Sequence, residues 1–136
     1  MMSSRGSYAI NGYVTINEYV TIYVDNIGSK ILEGTSPKSH SLPDYAHTPN
    51  SVYVKLKPDG KTLHEMRFYS EEGHPIIEIA YHTEPKSNNG DKKTNVLHFH
   101  IYKGLDRCPA QRMDEHLDIK EKYAKYLKEY GLYDKC

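Results

Sequence analysis

Leu97-His98-Phe99-His100-Ile101-Tyr102 alternates apolar side chains with imidazole and phenol. In an extended strand that period of two sends Leu97, Phe99 and Ile101 to one face and His98, His100 and Tyr102 to the other. Upstream, Ile76 to His82 reads as a second strand, with Ile77, Ile79 and Tyr81 pointing one way and Glu78, Ala80 and His82 the other. A twelve-residue polar loop, Thr83 to Thr94, joins the two. Further back, Val52, Val54 and Leu56 alternate against Tyr53, Lys55 and Lys57 before the turn Pro58-Asp59-Gly60-Lys61. The returning strand runs from about Thr62 to Tyr69, and Ser70 to Pro75 supplies the next turn.

These strands predict an α+β fold, an antiparallel β-meander of four strands that the N-terminal segment extends to five or six, with one C-terminal helix packed on it. The N-terminal contribution is the near-repeat Tyr13-Val14-Thr15-Ile16-Asn17-Glu18 and Tyr19-Val20-Thr21-Ile22-Tyr23-Val24, one long strand or two short ones, with a short strand at Lys30 to Glu33. Residues 25–50 carry Gly28, Gly34, Pro37, Pro43 and Pro49 and read as a long loop. Residues 111–130 hold Met113, Leu117, Tyr123, Leu127 and Tyr130 at helical spacing, ending near Gly131 as a C-cap. Residues 1–12 are small and polar and are expected to form a flexible arm, leaving 13–136 as a single α+β domain.

The 136 residues suffice for one core. Eighteen basic and eighteen acidic side chains cancel, which excludes a general nucleic-acid coat and makes any RNA contact local. Eight histidines make the balance pH-dependent, because their charge changes near neutrality. No apolar run spans a bilayer and no basic-then-apolar leader opens the chain, so the expected location is the cytoplasm, with no membrane partner. Cys108 and Cys136 are too few for a disulfide scaffold or a four-thiolate site and are expected to be free thiols. Thirteen tyrosines against two phenylalanines and no tryptophan suit a pleated surface or an interface, and an exposed edge in such a sheet favours self-association.

If the Ile77 face is core, Glu78 and His82 share an exposed face with His98 and His100. Three readings of that face stay open: a metal site of three nitrogens and one oxygen; a cofactor-free pair in which one imidazole deprotonates an RNA 2′-hydroxyl and another protonates the leaving 5′-oxygen; or a hydrogen-bonded histidine ladder without catalysis. Arg67 and Lys103 are candidates to bind an anion beside it, with Tyr69 and Tyr102 in support. His64 falls on the face of Met66 and Phe68, which suggests partial burial, and His40, His47, His74 and His116 have no identifiable partner.

The run Met66-Arg67-Phe68-Tyr69-Ser70-Glu71-Glu72-Gly73-His74-Pro75-Ile76-Ile77-Glu78-Ile79-Ala80-Tyr81-His82, followed by His98-Phe99-His100, resembles a pattern in small Firmicutes phage and prophage proteins and in C-terminal domains of polymorphic toxins. The opening Ser3-Ser4-Arg5-Gly6-Ser7 is similar to the start of the stand-alone phage members. The resemblance covers about residues 50–105 and implies His82, His98 and His100 as site residues, with Arg67 and Tyr69 beside them. The chain departs from the pattern at Ala80, where an acidic residue is more usual. Two functions follow as expectations: a phage-encoded effector acting as a toxin-type RNase or RNA-binding domain, or a non-enzymatic accessory protein that binds a host-defence or virion protein.

Overall fold

The computed structural model describes residues 9–10, 13–14, 19–34 and 42–135. Most of the expected arm, His40 and Cys136 lie outside the described residues. The near-repeat contains β2 (Tyr13–Val14) and β3 (Tyr19–Val24); β1 (Ala9–Ile10), within the segment expected to be an arm, pairs with β2. The remaining strands are β4 (Lys30–Gly34), β5 (Val52–Leu56), β6 (Leu63–Tyr69), β7 (Pro75–Thr83), β8 (Asn95–Lys103), β9 (Asp106–Arg107) and β10 (Gln111–Arg112). Among the described residues, β3 to β10 form one eight-stranded sheet in the order β3-β4-β5-β6-β7-β8-β10, with β9 also on the outer edge of β8. The expected meander is its centre, β5 to β8.

The sheet is therefore larger than the expected four to six strands. Asp25 closes the β3–β4 hairpin by accepting the backbone N–H groups of Ile27 and Ser29 on its Oδ1, at 3.0 and 2.8 Å. β4 then pairs with β5 in parallel, Lys30 with Tyr53 and Ile31 with Val54. A parallel neighbour needs a crossover, and the long loop read at 25–50 supplies it from the end of β4 to the start of β5.

The C-terminal segment departs further from expectation. Gln111 and Arg112 pair with Phe99 and His98 on the open edge of β8 and so leave the helix. Met113–Glu115 is a 3-10 turn, and the helix is broken into α1 (Leu117–Lys122) and α2 (Ala124–Glu129). The break falls at Tyr123, whose ring lies 4.7 Å from that of Phe68 in the sheet. Leu117, expected in the apolar stripe, is 64% exposed. Gly131 does cap the segment: its φ is +69°, and the Leu132 N–H donates to the Leu127 carbonyl at 2.8 Å.

One face of the sheet buries Leu63, Met66, Phe68, Ile77, Ile79, Leu97 and Phe99 against Met113, Tyr123, Leu127 and Leu132. The opposite face is also covered, although antiparallel sheets commonly leave one face wet. Leu42, with Tyr19, Leu32, Tyr53 and Tyr69, forms a second apolar cluster there. The loop over that face is anchored where the Ala46 N–H donates to the Gly73 carbonyl at 2.9 Å.

Gly73 has φ +87°, and a Cβ on it would lie 2.7 Å from the Ala46 carbonyl oxygen. Gly73→Ala therefore combines backbone strain with a backbone clash, for an expected loss of about 1–3 kcal/mol in urea unfolding. Gly60→Ala, at φ +72° with open space around it, controls for the strain alone and is expected to cost less; equal losses would show that the loop does not dock tightly at Gly73.

Candidate functional site

The parity read from the sequence holds in the register of β7 and β8, where Glu78 pairs with His100, Ala80 with His98 and Ile79 with Phe99. Glu78, His82, His98 and His100 thus share one face. The exposure expected for it does not hold. His98 is 0% and His100 4% exposed, with Glu78 at 1% and Arg67 at 3%. Segments without periodic patterning form the cover: the chain around Leu42 and Pro43, and the stretch through Cys108.

A β-bulge completes the site. Leu56 pairs with Leu63 but Lys55 pairs with Glu65, so His64 is the extra residue on β6. Such an insertion re-aims a side chain, and His64 stacks on His82 with ring centroids 4.8 Å apart and planes at 27°. His82 meets His98 edge-on at 4.8 Å, and His98 meets His100 at 5.4 Å. Four imidazoles accordingly run side by side across β6, β7 and β8. His64 and Glu65 were missed in the sequence because Met66 and Phe68 imply the wrong parity for His64. The available signal was the odd spacing between Leu63 and Met66, both of which are buried in the core.

The imidazoles share a tautomer. Each Nδ1 of His82, His98 and His100 lies 2.8 Å from a backbone carbonyl, that of Thr83, Val96 and Cys108 respectively. A carbonyl only accepts, so Nδ1 carries the proton and in the neutral ring Nε2 keeps a lone pair. Burial, with the neighbouring His82 and His100, lowers the His98 pKa to about 4 against the Val96 hydrogen bond. Burial also lowers His100, while burial, His82 and nearby lysines lower His64 to about 4. His98 Nε2 is buried without a partner. The Glu84 carboxylate lies across from it, Oε2 at 3.9 Å. Two lone-pair-bearing groups thus face each other, and a buried unsatisfied acceptor costs about 1–3 kcal/mol.

The expected anion-binding residues are placed differently. Arg67 Nε donates to Glu78 Oε1 at 3.0 Å, and its Nη1 donates to the carbonyls of Leu42 and Pro43 at 2.9 and 3.0 Å. Its donors are engaged in holding the loop, so an anion would have to displace Glu78. Lys103 stands at the exposed end of β8. Tyr69 Oη donates to the Pro43 carbonyl, and Tyr102 Oη donates to Glu78 at 3.3 Å. Both support Arg67 and Glu78 rather than the imidazoles. Arg107, not anticipated, reaches Glu78 Oε2 at 3.3 Å.

Glu65 and Glu78 are driven apart. Burial and the Glu78 charge raise Glu65 to about 7, whereas Arg67, its hydrogen bonds and Arg107 outweigh burial and hold Glu78 below the usual carboxylate range. The ligand atoms of His64, Glu65 and His82 lie within 4.8 Å of one another. His64 also lines a groove of about 630 Å³ together with Tyr23, Leu32, Glu33, Lys55 and Lys57, a size that suits a small-molecule or nucleotide unit.

No family model, curated protein or solved structure matches this chain.

A carboxyl whose folded pKa lies above its unfolded value favours folding below the unfolded pKa of 4.5 and loses that contribution as pH rises through about 7. Glu65→Gln keeps the shape without the titration. Its stability relative to the unmodified chain is expected to rise between pH 5 and pH 8 in urea unfolding, by an amount on the order of 1–3 kcal/mol; a constant difference would show that Glu65 ionises normally.

Proposed function

We propose that this chain is a phage-type effector that cleaves RNA by general acid–base catalysis at the open end of its imidazole row, acting in the cytoplasm of a bacterial host. The observation that carries the reading is the triangle of His64, Glu65 and His82, whose His64 lines a groove flanked by Lys55 and Lys57. The resemblance to toxin C-terminal domains points the same way.

The roles follow from burial and charge. His98 and His100 lie too deep to meet a polymer, so the contact with substrate passes to half-buried His64 and His82. His64, neutral at pH 7, accepts the 2′-hydroxyl proton as the 2′-oxygen attacks phosphorus. Glu65, raised to about 7, first passes its proton to His82 Nε2, and the imidazolium so formed delivers it to the departing 5′-oxygen; the proton taken by His64 returns to Glu65 through solvent after product release. The products are a 2′,3′-cyclic phosphate and a free 5′-hydroxyl. Lys55 and Lys57 line the groove where the phosphate would sit. No cofactor takes part in these steps.

A second reading rests on the outer strand. Ile22, Tyr23 and Val24 on β3 are 49%, 47% and 56% exposed. An apolar strand with an open edge suits pairing with a host or phage protein, or with another copy. Among the described residues no helix is long and apolar enough to cross a membrane.

Labelled total RNA incubated with the full chain tests the first reading. Cleavage is expected to leave cyclic phosphate ends, to fall at least about 100-fold in His64→Ala, and to lose its pH dependence near 7 in Glu65→Gln. Absence of cleavage by folded protein, or full activity in His64→Ala, would overturn it and leave the β3 edge as the functional surface.

A further inference from the structure

We propose that the buried end of the imidazole row, His98 and His100 with Glu84, is a binding site for one divalent transition-metal ion of the zinc class. The site is separate from the His64, Glu65 and His82 triangle and does not depend on RNA being the substrate.

Three observations converge on it. The ligand atoms of Glu84, His98 and His100 lie within 4.8 Å of one another on two adjoining segments, the loop just after β7 and the middle of β8. Each of the two imidazoles donates its Nδ1–H to a backbone carbonyl at 2.8 Å, that of Val96 or Cys108. This arrangement characterises metal-ligating histidine, since it fixes the ring and turns the free Nε2 lone pair inward. Finally, His98 Nε2 is wholly buried and has no hydrogen-bond partner, while the atom it faces at 3.9 Å is a carboxylate oxygen. Both are electron-pair donors, and neither can satisfy the other. What completes the pair is a cation between them.

A metal ion that accepts both lone pairs removes the mismatch. Ligands around zinc at 2.0–2.1 Å stand roughly 3.4 Å apart in a tetrahedron. The 3.9 Å pair is near that spacing, and Glu84, on the loop after β7 with its side chain 17% exposed, is free of strand pairing to close the rest.

The donor set selects the ion class. Two imidazoles and one carboxylate suit zinc, cobalt or nickel, whereas magnesium and calcium prefer oxygen alone. Three protein ligands leave a fourth position for water.

The test uses the full chain, stripped with chelator and dialysed. Titration with cobalt(II), followed by zinc competition and elemental analysis, is expected to give one equivalent bound with the visible ligand-field bands of a four-coordinate ion. Glu84→Ala changes a partly exposed residue and is expected to remain folded by circular dichroism while losing at least about tenfold in affinity. His98→Ala is expected to abolish binding, but it alters the interior and so is read only if folded. His64→Ala is expected to bind as the unmodified chain does. Failure of the stripped chain to bind stoichiometrically, or an affinity unchanged in Glu84→Ala, would overturn the assignment. So would loss of binding in His64→Ala with Glu84→Ala unaffected, which would place the ion at the other end of the row. Each result is read from metal content and spectrum, so an absence of RNA cleavage leaves it intact.

Discussion

Arg67 determines the character of this molecule. Its guanidinium joins Glu78 on the neighbouring strand to the carbonyls of Leu42 and Pro43 in the crossover loop, all at the sheet surface. Breaking such a buried pair by removing one partner costs about 3–5 kcal/mol, because the other charge is left uncompensated. The same bonds hold the crossover loop down over β6 and β7. A face rich in Glu, Arg and His, which would otherwise be hydrated, is thereby sealed from water. Together with the stretch through Cys108, that cover buries the face, lowering His98 and His100, raising Glu65 and leaving the His98 Nε2 without a partner.

How much of this was legible depends on what periodicity encodes. Alternation over Ile76 to His82 and Leu97 to Tyr102 fixed the parity of both strands, so Glu78, His82, His98 and His100 were placed on one face correctly. Period two says which side a residue takes and is silent on what covers that side. The cover comes from residues around Leu42 and Cys108, which have no repeating pattern and are far from the strands in sequence. Burial of Arg67 was therefore invisible, and a residue expected to greet an anion proved to be a fastener.

The other misses share a local cause. His64 was assigned to the core face because parity was counted back from Met66 and Phe68, and a single inserted residue reverses that count. At the C-terminal end, the helical spacing of Met113, Tyr123 and Leu127 correctly named three buried residues, yet the helix itself is broken. The open edge of β8 takes Gln111 and Arg112 as ladder partners, and the Tyr123 ring turns onto Phe68 at the cost of regular geometry. Tertiary contacts outweighed propensity in both places, as short helical segments allow.

The two ends of the imidazole row have opposite electrostatic needs, and the sheet meets both by varying depth. At the buried end, neutral rings with fixed tautomers and a carboxylate make a set of electron-pair donors, which is suited to a cation and of no use for shuttling protons. At the bulged end, His64 and His82 are partly exposed, and the acid beside them, Glu65, is balanced between its two protonation states by Glu78 on one side and Arg67 on the other. Burial raises Glu65 most, and Arg67 acts on it in two opposed ways: it keeps Glu78 ionised, whose charge raises Glu65, while its own positive charge lowers Glu65. The residue that fastens the loop thus also sets the acidity of the site. The link between structural closure and chemistry runs through one guanidinium, not through any residue of the histidine row itself.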